Sequence, residues 1–217
     1  MAERTITVKG VGTACVKPDY VVISLHITGE DTDYVKTINK ANDKIEKLKA
    51  AINKFGFSDD DLKTANFSAR SVYKNVQKMG NYTQQFSHYS SEYDLNLSFD
   101  FTQEKLSETL TAIANSGADA SFSIDFTVKE PQKVAEELLI SATENARYKA
   151  EVLCKASGKK LGELLSINYD WTDINVVSRS NYAIASEPRM MSAVTVPEFT
   201  PDDINSQDCA TFIWEIV

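Results

Sequence analysis

The sequence predicts an α+β fold, in which a mixed, mainly antiparallel sheet carries helices packed on one face. Two observations indicate it: several segments alternate apolar and polar residues, as half-buried strands do, and others repeat apolar residues at steps of three and four, as amphipathic helices do. Strands come mainly in adjacent pairs with helices between them, which favours antiparallel pairing over a doubly wound parallel sheet. The 217 residues are expected to form a single domain, or two intimately packed α/β subdomains at about 1–101 and 102–217.

The first half of the chain is predicted to fold in the order ββαββ. Its return strand has the clearest alternation, which indicates a sheet with one buried and one solvated face. The helix is expected to stop at a glycine. The predicted elements are strands at Thr5–Val11 and Tyr20–Thr28, a helix at about Asp33–Phe55 ending at Gly56, a strand at Leu62–Tyr73, a turn around Gly80 and Asn81, and a strand at Tyr93–Phe101.

The second half is predicted to continue as αβαβ, with a long irregular arm before a final strand. The arm is inferred from its prolines and its many serine and asparagine residues, which leave room for short strand pieces at most. The predicted elements are a helix from the N-cap Thr102 to Ser116, a strand at Phe122–Val128, a helix signal over Glu130–Gly162, a strand at Leu164–Trp171, the arm at 172–206 and a strand at Ala210–Ile216.

The helix signal over Glu130–Gly162 is the longest in the chain. Pro131 suits a first helical position, and Gly158 suits the left-handed residue that ends a helix. The middle of its apolar stripe is formed by Ala142, Ala146 and Ala150. Small residues at these positions would let the helix backbone approach a neighbouring sheet closely.

Composition excludes several classes of function. The net charge of -8 and the lack of a basic stripe argue against nucleic acid as a partner. No apolar run is long enough to span a membrane, and the N-terminal residues do not resemble a signal peptide. We therefore expect a cytoplasmic location for the chain as given, or a periplasmic or extracellular one if a signal peptide has been removed. Cys15, Cys154 and Cys209 show no paired spacing, which favours reduced thiols.

No group of residues in the sequence forms a recognisable catalytic, cofactor-binding or metal-binding motif. Gly10-Val11-Gly12 follows a strand but precedes no helix, so we interpret it as a bulge or tight turn rather than a phosphate loop. His26 and His88 lack ligand spacing and are interpreted as solvated side chains.

Three further clusters have plain structural interpretations. The acidic run Asp59–Asp61 is expected to be a solvated turn and cap. The basic end formed by Lys155, Lys159 and Lys160 suits the dipole at a helix C-terminus. Cys154 lies beside the apolar stripe and is expected to be a buried core residue, although the nearby lysines suggest a reactive thiol as the alternative.

Aromatic residues gather at the predicted hairpin tip: Tyr82, Phe86, Tyr89 and Tyr93. This is more aromatic surface than a turn requires. The residues either form a contact surface or pack back onto their own sheet. Met190-Met191, in the arm, is a second candidate for an oligomer contact.

Four phrases in this order resemble the SIMPL-domain family, which includes bacterial periplasmic immunogenic proteins and proteins linked to oxidative-stress defence. They are ITVKGVG at 6–12 followed by Pro18-Asp19, GFSDDDLKTANFS at 56–68, GADASFSIDFTV at 117–128 and ATENARYKAEVLCKASGKKLGEL at 142–164. The resemblance implies no catalytic residue, cofactor or metal, and it implies ring-like or channel-like homo-oligomers for some members. The family glycines and alanines are interpreted as positions of close backbone approach.

The leading hypothesis is a non-enzymatic SIMPL-type protein that self-associates and supports stress defence or binds a partner. The segments 74–92 and 172–206 could exchange contacts between subunits. One alternative is a small-molecule-binding protein or an enzyme with an unrecognised pocket that gathers His26 or His88 with carboxylates. The other is a thiol redox sensor acting through Cys154.

Overall fold

A computed structural model describes residues 4–78, 81–170, 174–180, 182–184 and 198–217 of the chain. It confirms the α+β class, with strands in two antiparallel sheets. The elements are strands β1 Thr5–Val16 and β2 Tyr20–Asp31, helix α1 Tyr34–Ile52, strands β3 Leu62–Lys78 and β4 Asn81–Asp100, helix α2 Gln103–Asn115, strand β5 Ser121–Thr127, helix α3 Pro131–Ala156, and strands β6 Leu161–Asn168, β7 Tyr182–Ile184 and β8 Ile204–Ile216.

The chain forms two compact units, each built from separated segments. Unit 1 comprises Met1–Pro18, Thr127–Arg179 and Pro201–Val217, and unit 2 comprises Asp19–Phe126 and Ser180–Thr200. The expectation of a single domain, or of subdomains at about 1–101 and 102–217, stays a prediction.

Unit 1 is a three-stranded sheet in the order β1-β8-β6 with helix α3 against it. β1 and β8 pair antiparallel without a register shift from Thr5↔Glu215 to Val16↔Ile204. The core lies between this sheet and the helix, where Val8, Phe212 and Trp214 are buried with the helix alanines. Alternating strand residues therefore meet the small-residue stripe of α3, as the sequence predicts.

Unit 2 is a five-stranded sheet in the order β3-β4-β2-β5-β7. One face is apolar and packs on α1 and α2, with Ile23, Leu97, Leu106 and Ile124 among its buried side chains. The opposite face is mainly polar, because most residues between these apolar positions are serine, threonine, asparagine, histidine and acids.

The Gly10-Val11-Gly12 segment lies in the middle of β1, so the predicted bulge or tight turn is wrong. A Cβ on Gly10 would lie 2.0 Å from the carbonyl oxygen of Ala142, and a Cβ on Gly12 would lie 1.9 Å from that of Leu138. The glycines are needed because the backbone of α3 rests directly on the strand. This confirms the close approach expected from the helix alanines.

Side chains of α3 also bond the outer edge of β1, which has no strand partner on that side within the described residues. The Val11 amide donates to Asn145 Oδ1 at 3.1 Å, and the Thr13 amide donates to Ser141 Oγ at 3.3 Å. Lys149 Nζ donates to the Lys9 carbonyl at 3.2 Å. Backbone groups of an edge strand are thereby satisfied by a helix rather than by another strand.

Helix α1 meets β2 in the same way in unit 2. A Cβ on Gly29 would lie 2.4 Å from the Thr37 carbonyl oxygen, and Thr37 is fully buried. Lys40 Nζ donates to the carbonyl of Glu30 at 2.9 Å, and Lys44 Nζ donates to that of Thr28 at 3.0 Å. Close helix-on-strand contact with lysines on strand carbonyls thus occurs in both units.

The helix ends follow the sequence signals. Gly56 and Gly158 have positive φ, which confirms the predicted stops, and Gly117 after α2 has positive φ as well. Thr102 is the N-cap of α2 and accepts a hydrogen bond from the Lys105 amide at 3.2 Å, as expected. Pro131 opens α3.

Strand ends differ most from prediction in the β3–β4 hairpin and before β8. The strands of the hairpin run to Lys78 and from Asn81, far beyond the predicted ends at Tyr73 and Tyr93. β8 begins at Ile204, within the segment predicted as arm, and β7 is a short strand inside that segment. The predicted turn residue Gly80, Trp171 and the Met190-Met191 pair lie outside the described residues.

Candidate functional site

The β3–β4 hairpin is the main candidate surface, because its outer half extends past the helices that cover the rest of the sheet. The two strands pair from Leu62↔Leu97 to Lys78↔Asn81. Register shifts occur between Thr64 and Asn66 and between Val72 and Tyr73. β3 has 17 residues, and most of them are exposed.

Aromatic rings follow one face of this hairpin, and we call them the aromatic strip. Phe67 packs on Tyr93 with ring centroids 4.6 Å apart, and Phe86 packs on Tyr89 at 4.9 Å. Tyr73 meets Phe86 edge-on at 6.1 Å. The strip thus comprises Phe67, Tyr73, Phe86, Tyr89 and Tyr93, together with Tyr34 of α1, which meets Tyr89 at 5.6 Å.

The strip packs along its own sheet and yet stays exposed. Tyr73 is 56% exposed and Phe86 is 38% exposed, and Tyr82 near the tip is 74% exposed. The interpretation that the hairpin aromatics pack on their own sheet is confirmed by these ring contacts, and the interpretation as a contact surface stays a prediction. Aromatic side chains exposed in this density are typical of interaction sites.

The polar face of the unit 2 sheet contains a histidine–carboxylate pair. His26 of β2 lies opposite Asp94 of β4, and its Nδ1 is 2.7 Å from Asp94 Oδ1. The other carboxylate oxygen accepts a hydrogen bond from Asn66 Nδ2 at 3.2 Å. The hydrogen bonds from His26 and then Asn66 lower the pKa of Asp94. The pair is half-exposed on an open sheet face rather than enclosed in a cleft.

His88 lies elsewhere on the sheet, in the outer part of β4. Its Nδ1 is 3.0 Å from Ser87 Oγ, and its Nε2 is 3.7 Å from Glu30 Oε1. The two histidines therefore meet different carboxylates and do not form one site. Their partners could not be found from sequence, because β2–β4 pairing brings together residues far apart in the chain.

A cavity of about 310 Å³ lies between α1 and the end of β2. It is lined by Thr28, Gly29, Glu30, Lys40 and Lys44. Besides the carbonyls that the two lysines bond, Lys40 Nζ lies 2.8 Å from a carboxylate oxygen of Asp31. A hydrogen bond from Lys40, with a second from the Asp33 amide, lowers the pKa of Asp31 to about 2. Because their ammonium groups are already engaged, these lysines are poorly prepared to hold an anion.

The acidic and basic clusters that the sequence singled out have structural roles. Asp59–Asp61 form a short 3₁₀ turn, in which Ser58 and Asp61 make a capping box that lowers the pKa of Asp61. The predicted turn and cap is confirmed. Lys155, Lys159 and Lys160 are exposed at the end of α3.

The three thiols are free and differ in exposure. Cys154 is 2% exposed, which confirms it as a core residue. Cys15 is exposed and Cys209 is intermediate. Among the described residues, no three His, Cys, Asp or Glu side chains gather closely enough to hold a metal ion. None of the described helices has both the length and the apolarity needed to cross a bilayer.

These features define an α+β protein of two antiparallel sheets, with helices seated on strand glycines and an exposed aromatic hairpin. The family model SIMPL, described as a protein of unknown function (DUF541), matches residues 6–209, and the chain belongs to this family. Two of the sequence motifs that resemble the family, the glycines of β1 and the alanines of α3, form the contact between this strand and this helix.

Two curated relatives are the 26 kDa periplasmic immunogenic proteins of Brucella melitensis and Brucella abortus. Each is 25% identical to this chain over 167 residues, which is 75% of the chain. The chain spans about 65% of the length of these relatives. Both are named as periplasmic, so the expectation of a cytoplasmic location finds no support among them.

Proposed function

We propose that this chain is a non-enzymatic assembly protein that self-associates through the aromatic strip of its β3–β4 hairpin and through Tyr82, whose partner Gln77 lies on the same face of β3 as Tyr73. The observation that carries the proposal is the exposure of Tyr73, Phe86 and Tyr82 on a hairpin that extends past its covering helices. Tyrosine and phenylalanine are enriched at protein interfaces, since their rings bury a large area with few rotatable bonds.

A periplasmic location and a role in stress defence belong to the same proposal. The location rests on the names of the two relatives. Stress defence rests on the family resemblance and would follow from assembly or from the binding of a partner.

The two alternatives have less support. An enzyme or ligand-binding protein would need His26 or His88 in a cleft with carboxylates, whereas each lies with its own partner on an open face. A redox sensor acting through Cys154 would need an accessible thiolate, whereas this side chain is buried.

Sedimentation velocity over a concentration range on the order of 1 to 100 µM tests the proposal. The wild-type chain should form oligomers, and Tyr82→Ser should weaken their dissociation constant by about 5- to 30-fold, as expected for an interface tyrosine worth roughly 1 to 2 kcal/mol. Tyr82 makes no ring contact among those described, so its loss should leave the fold unchanged by circular dichroism.

Tyr148→Ser is the matched control, because Tyr148 on α3 is 68% exposed but lies in unit 1. It should leave self-association unchanged. A wild-type chain that is monomeric over the whole range would refute the proposal, as would an equal effect of the two substitutions.

A further inference from the structure

Strand β3 is an open sheet edge of unusual length. It ends the sheet order β3-β4-β2-β5-β7, so within the described part of the chain it pairs only with β4. Its 17 residues are mostly exposed, whereas strands average about 5 to 6 residues. A long exposed edge offers unpaired N–H and C=O groups to another extended chain.

The other edge strands of the two sheets are covered, short or irregular where the structure describes them. The outer edge of β1 is bonded by Ser141, Asn145 and Lys149, and β7, at the far edge of the five-stranded sheet, has three residues. β6 has only 8 residues, and its pairing is interrupted by two register shifts. β3 has no such helix side chain on its backbone among the described contacts, and its pairing is regular from Asn66 to Val72.

The two faces of β3 have different chemistry. Phe67 and Tyr73 lie on the face of the aromatic strip, whereas Arg70 and Lys74 lie on the other face because side chains alternate along a strand. The charged residues of β3 are Lys63, Arg70, Lys74 and Lys78, and it contains no acid. This basic strand stands in a chain whose net charge is -8.

The basic side chains are presented to solvent. Lys63 and Lys74 are exposed. Arg70 Nη2 lies 2.5 Å from Glu92 Oε1 of the neighbouring strand, and its side chain remains 66% exposed. A further strand added beside β3 would therefore place its side chains next to positive charge on one face and next to aromatic rings on the other.

We propose that β3 binds an extended acidic segment of a partner protein as an additional antiparallel or parallel strand. The segment would alternate acidic residues, which face Lys63, Arg70 and Lys74, with apolar residues, which face Phe67 and Tyr73. Backbone hydrogen bonds would give affinity, and the two faces of the strand would give specificity. A basic segment is disfavoured by like-charge repulsion across the new strand pair. A nucleic acid lacks the repeating N–H and C=O groups that the edge would pair with.

Fluorescence anisotropy with labelled peptides of alternating glutamate and valine, long enough to span Lys63–Lys74, tests the proposal. A peptide of alternating lysine and valine is the charge control and should bind at least about 10-fold more weakly. Binding of the acidic peptide should weaken as salt is raised. Exchanging both exposed lysines, in Lys63→Glu with Lys74→Glu, should weaken it by about 10-fold or more.

The matched control exchanges Lys155→Glu with Lys159→Glu, which changes the net charge equally but lies in unit 1. It should leave peptide binding unchanged. Peptides N-methylated at alternate residues separate strand addition from simple charge attraction, because only one edge of an added strand faces β3. Methylation of one alternate set should abolish binding, and methylation of the other set should preserve it.

Equal binding of acidic and basic peptides, equal effects of both methylation sets, or no binding would overturn the proposal. Competition by single-stranded RNA with greater affinity than the peptide would instead indicate a nucleic-acid site. A peptide affinity that falls as the protein concentration rises would indicate that a second copy occupies β3. The lysine variants should still sediment as wild-type oligomers, so failure here is distinguishable from failure of the self-association proposal.

Discussion

Gly10→Ala should strongly destabilise unit 1, because the added Cβ would meet the backbone of α3. The added Cβ would lie 2.0 Å from the Ala142 carbonyl oxygen and 2.8 Å from the Ala146 Cβ, whereas ordinary contact begins at 3.4 Å. The nearest obstacle is helix backbone, which cannot rotate away as a side chain can. The helix would therefore have to retreat from the strand by more than an ångström.

The expected loss follows from two contributions. Overpacking in a tight core costs about 1 to 3 kcal/mol, and a contact with backbone belongs at the upper end. Retreat of α3 would also lengthen the hydrogen bonds from Val11 and Thr13 to Asn145 and Ser141, each worth about 1 kcal/mol. We expect a loss of about 3 to 5 kcal/mol in the free energy of unfolding.

Urea denaturation followed by tryptophan fluorescence measures this loss in the correct unit. Trp214 belongs to unit 1 and is buried against Phe212 with ring centroids 5.4 Å apart. Gly162→Ala is the control. Its Cβ would lie 3.0 Å from the Glu215 Cβ and 3.1 Å from the Glu215 carbonyl oxygen, so β8 would have to move by only a few tenths of an ångström and we expect a loss of about 1 kcal/mol.

A second substitution tests the cause. Ala146→Gly removes the 2.8 Å contact but leaves the 2.0 Å contact with the Ala142 carbonyl, so it should not rescue Gly10→Ala. Rescue by Ala146→Gly, or a loss below about 1 kcal/mol for Gly10→Ala alone, would show that the helix backbone is not the obstacle.

Two further outcomes can be measured without an assay of function. In the native chain, a thiol reagent should modify the exposed Cys15 quickly and the buried Cys154 only on unfolding; fast native modification of Cys154 in a Cys15→Ser variant would contradict its burial. The carboxyl of Asp31 should titrate with a pKa of about 2 in carbon-detected NMR, and Lys40→Met should raise that pKa. Because the folded-state pKa is depressed, the stability from Asp31 is present above the ordinary carboxyl pKa of about 4 and is lost as the pH falls toward 2. An unchanged pKa in Lys40→Met would assign the depression to the Asp33 amide instead.

The helix ends and the core strands could be predicted because their signals are local. Gly56 and Gly158 mark the ends of helices, and this signal depends only on a residue that can adopt a left-handed conformation. Leu95, Leu97 and Phe99 alternate with polar residues, and this signal depends only on a sheet with one buried face. Such patterns can be recognised in the sequence without knowing which element packs against them.

The outer hairpin could not be predicted in full, because it has no buried face. Beyond Tyr73 in β3, Lys74, Asn75 and Gln77 are exposed, so the residues do not alternate between apolar and polar and the sequence resembles a polar loop. The contacts that hold the hairpin are cross-strand pairs such as Tyr73 with Phe86, which become visible only when the register is known.

The glycines of β1 show a related difficulty, since their interpretation as a bulge or tight turn is wrong whereas the close backbone approach implied by the family resemblance is confirmed. A glycine in a strand serves either a bulge or the close approach of another backbone, and the residues that decide between these lie far away, at Leu138 and Ala142 of α3. His26 and Asp94 likewise meet only through β2–β4 pairing. The division of the strands between two sheets also depends on such distant pairing.

The number of hydrogen bonds that α3 can make along the edge of β1 is limited by the spacing of residues in a helix and in a strand. Ser141, Asn145 and Lys149 are spaced by four residues and meet Thr13, Val11 and Lys9, which are spaced by two. Four helical residues advance about 6.0 Å and two strand residues about 6.7 Å, so the two repeats fall out of step by roughly 0.7 Å at each bond. Three bonds absorb this drift, and the next helix position in the series is Leu153, which cannot hydrogen-bond through its side chain. A single residue inserted into α3 before Ser141 would rotate this side by about 100° and separate every one of these pairs at once.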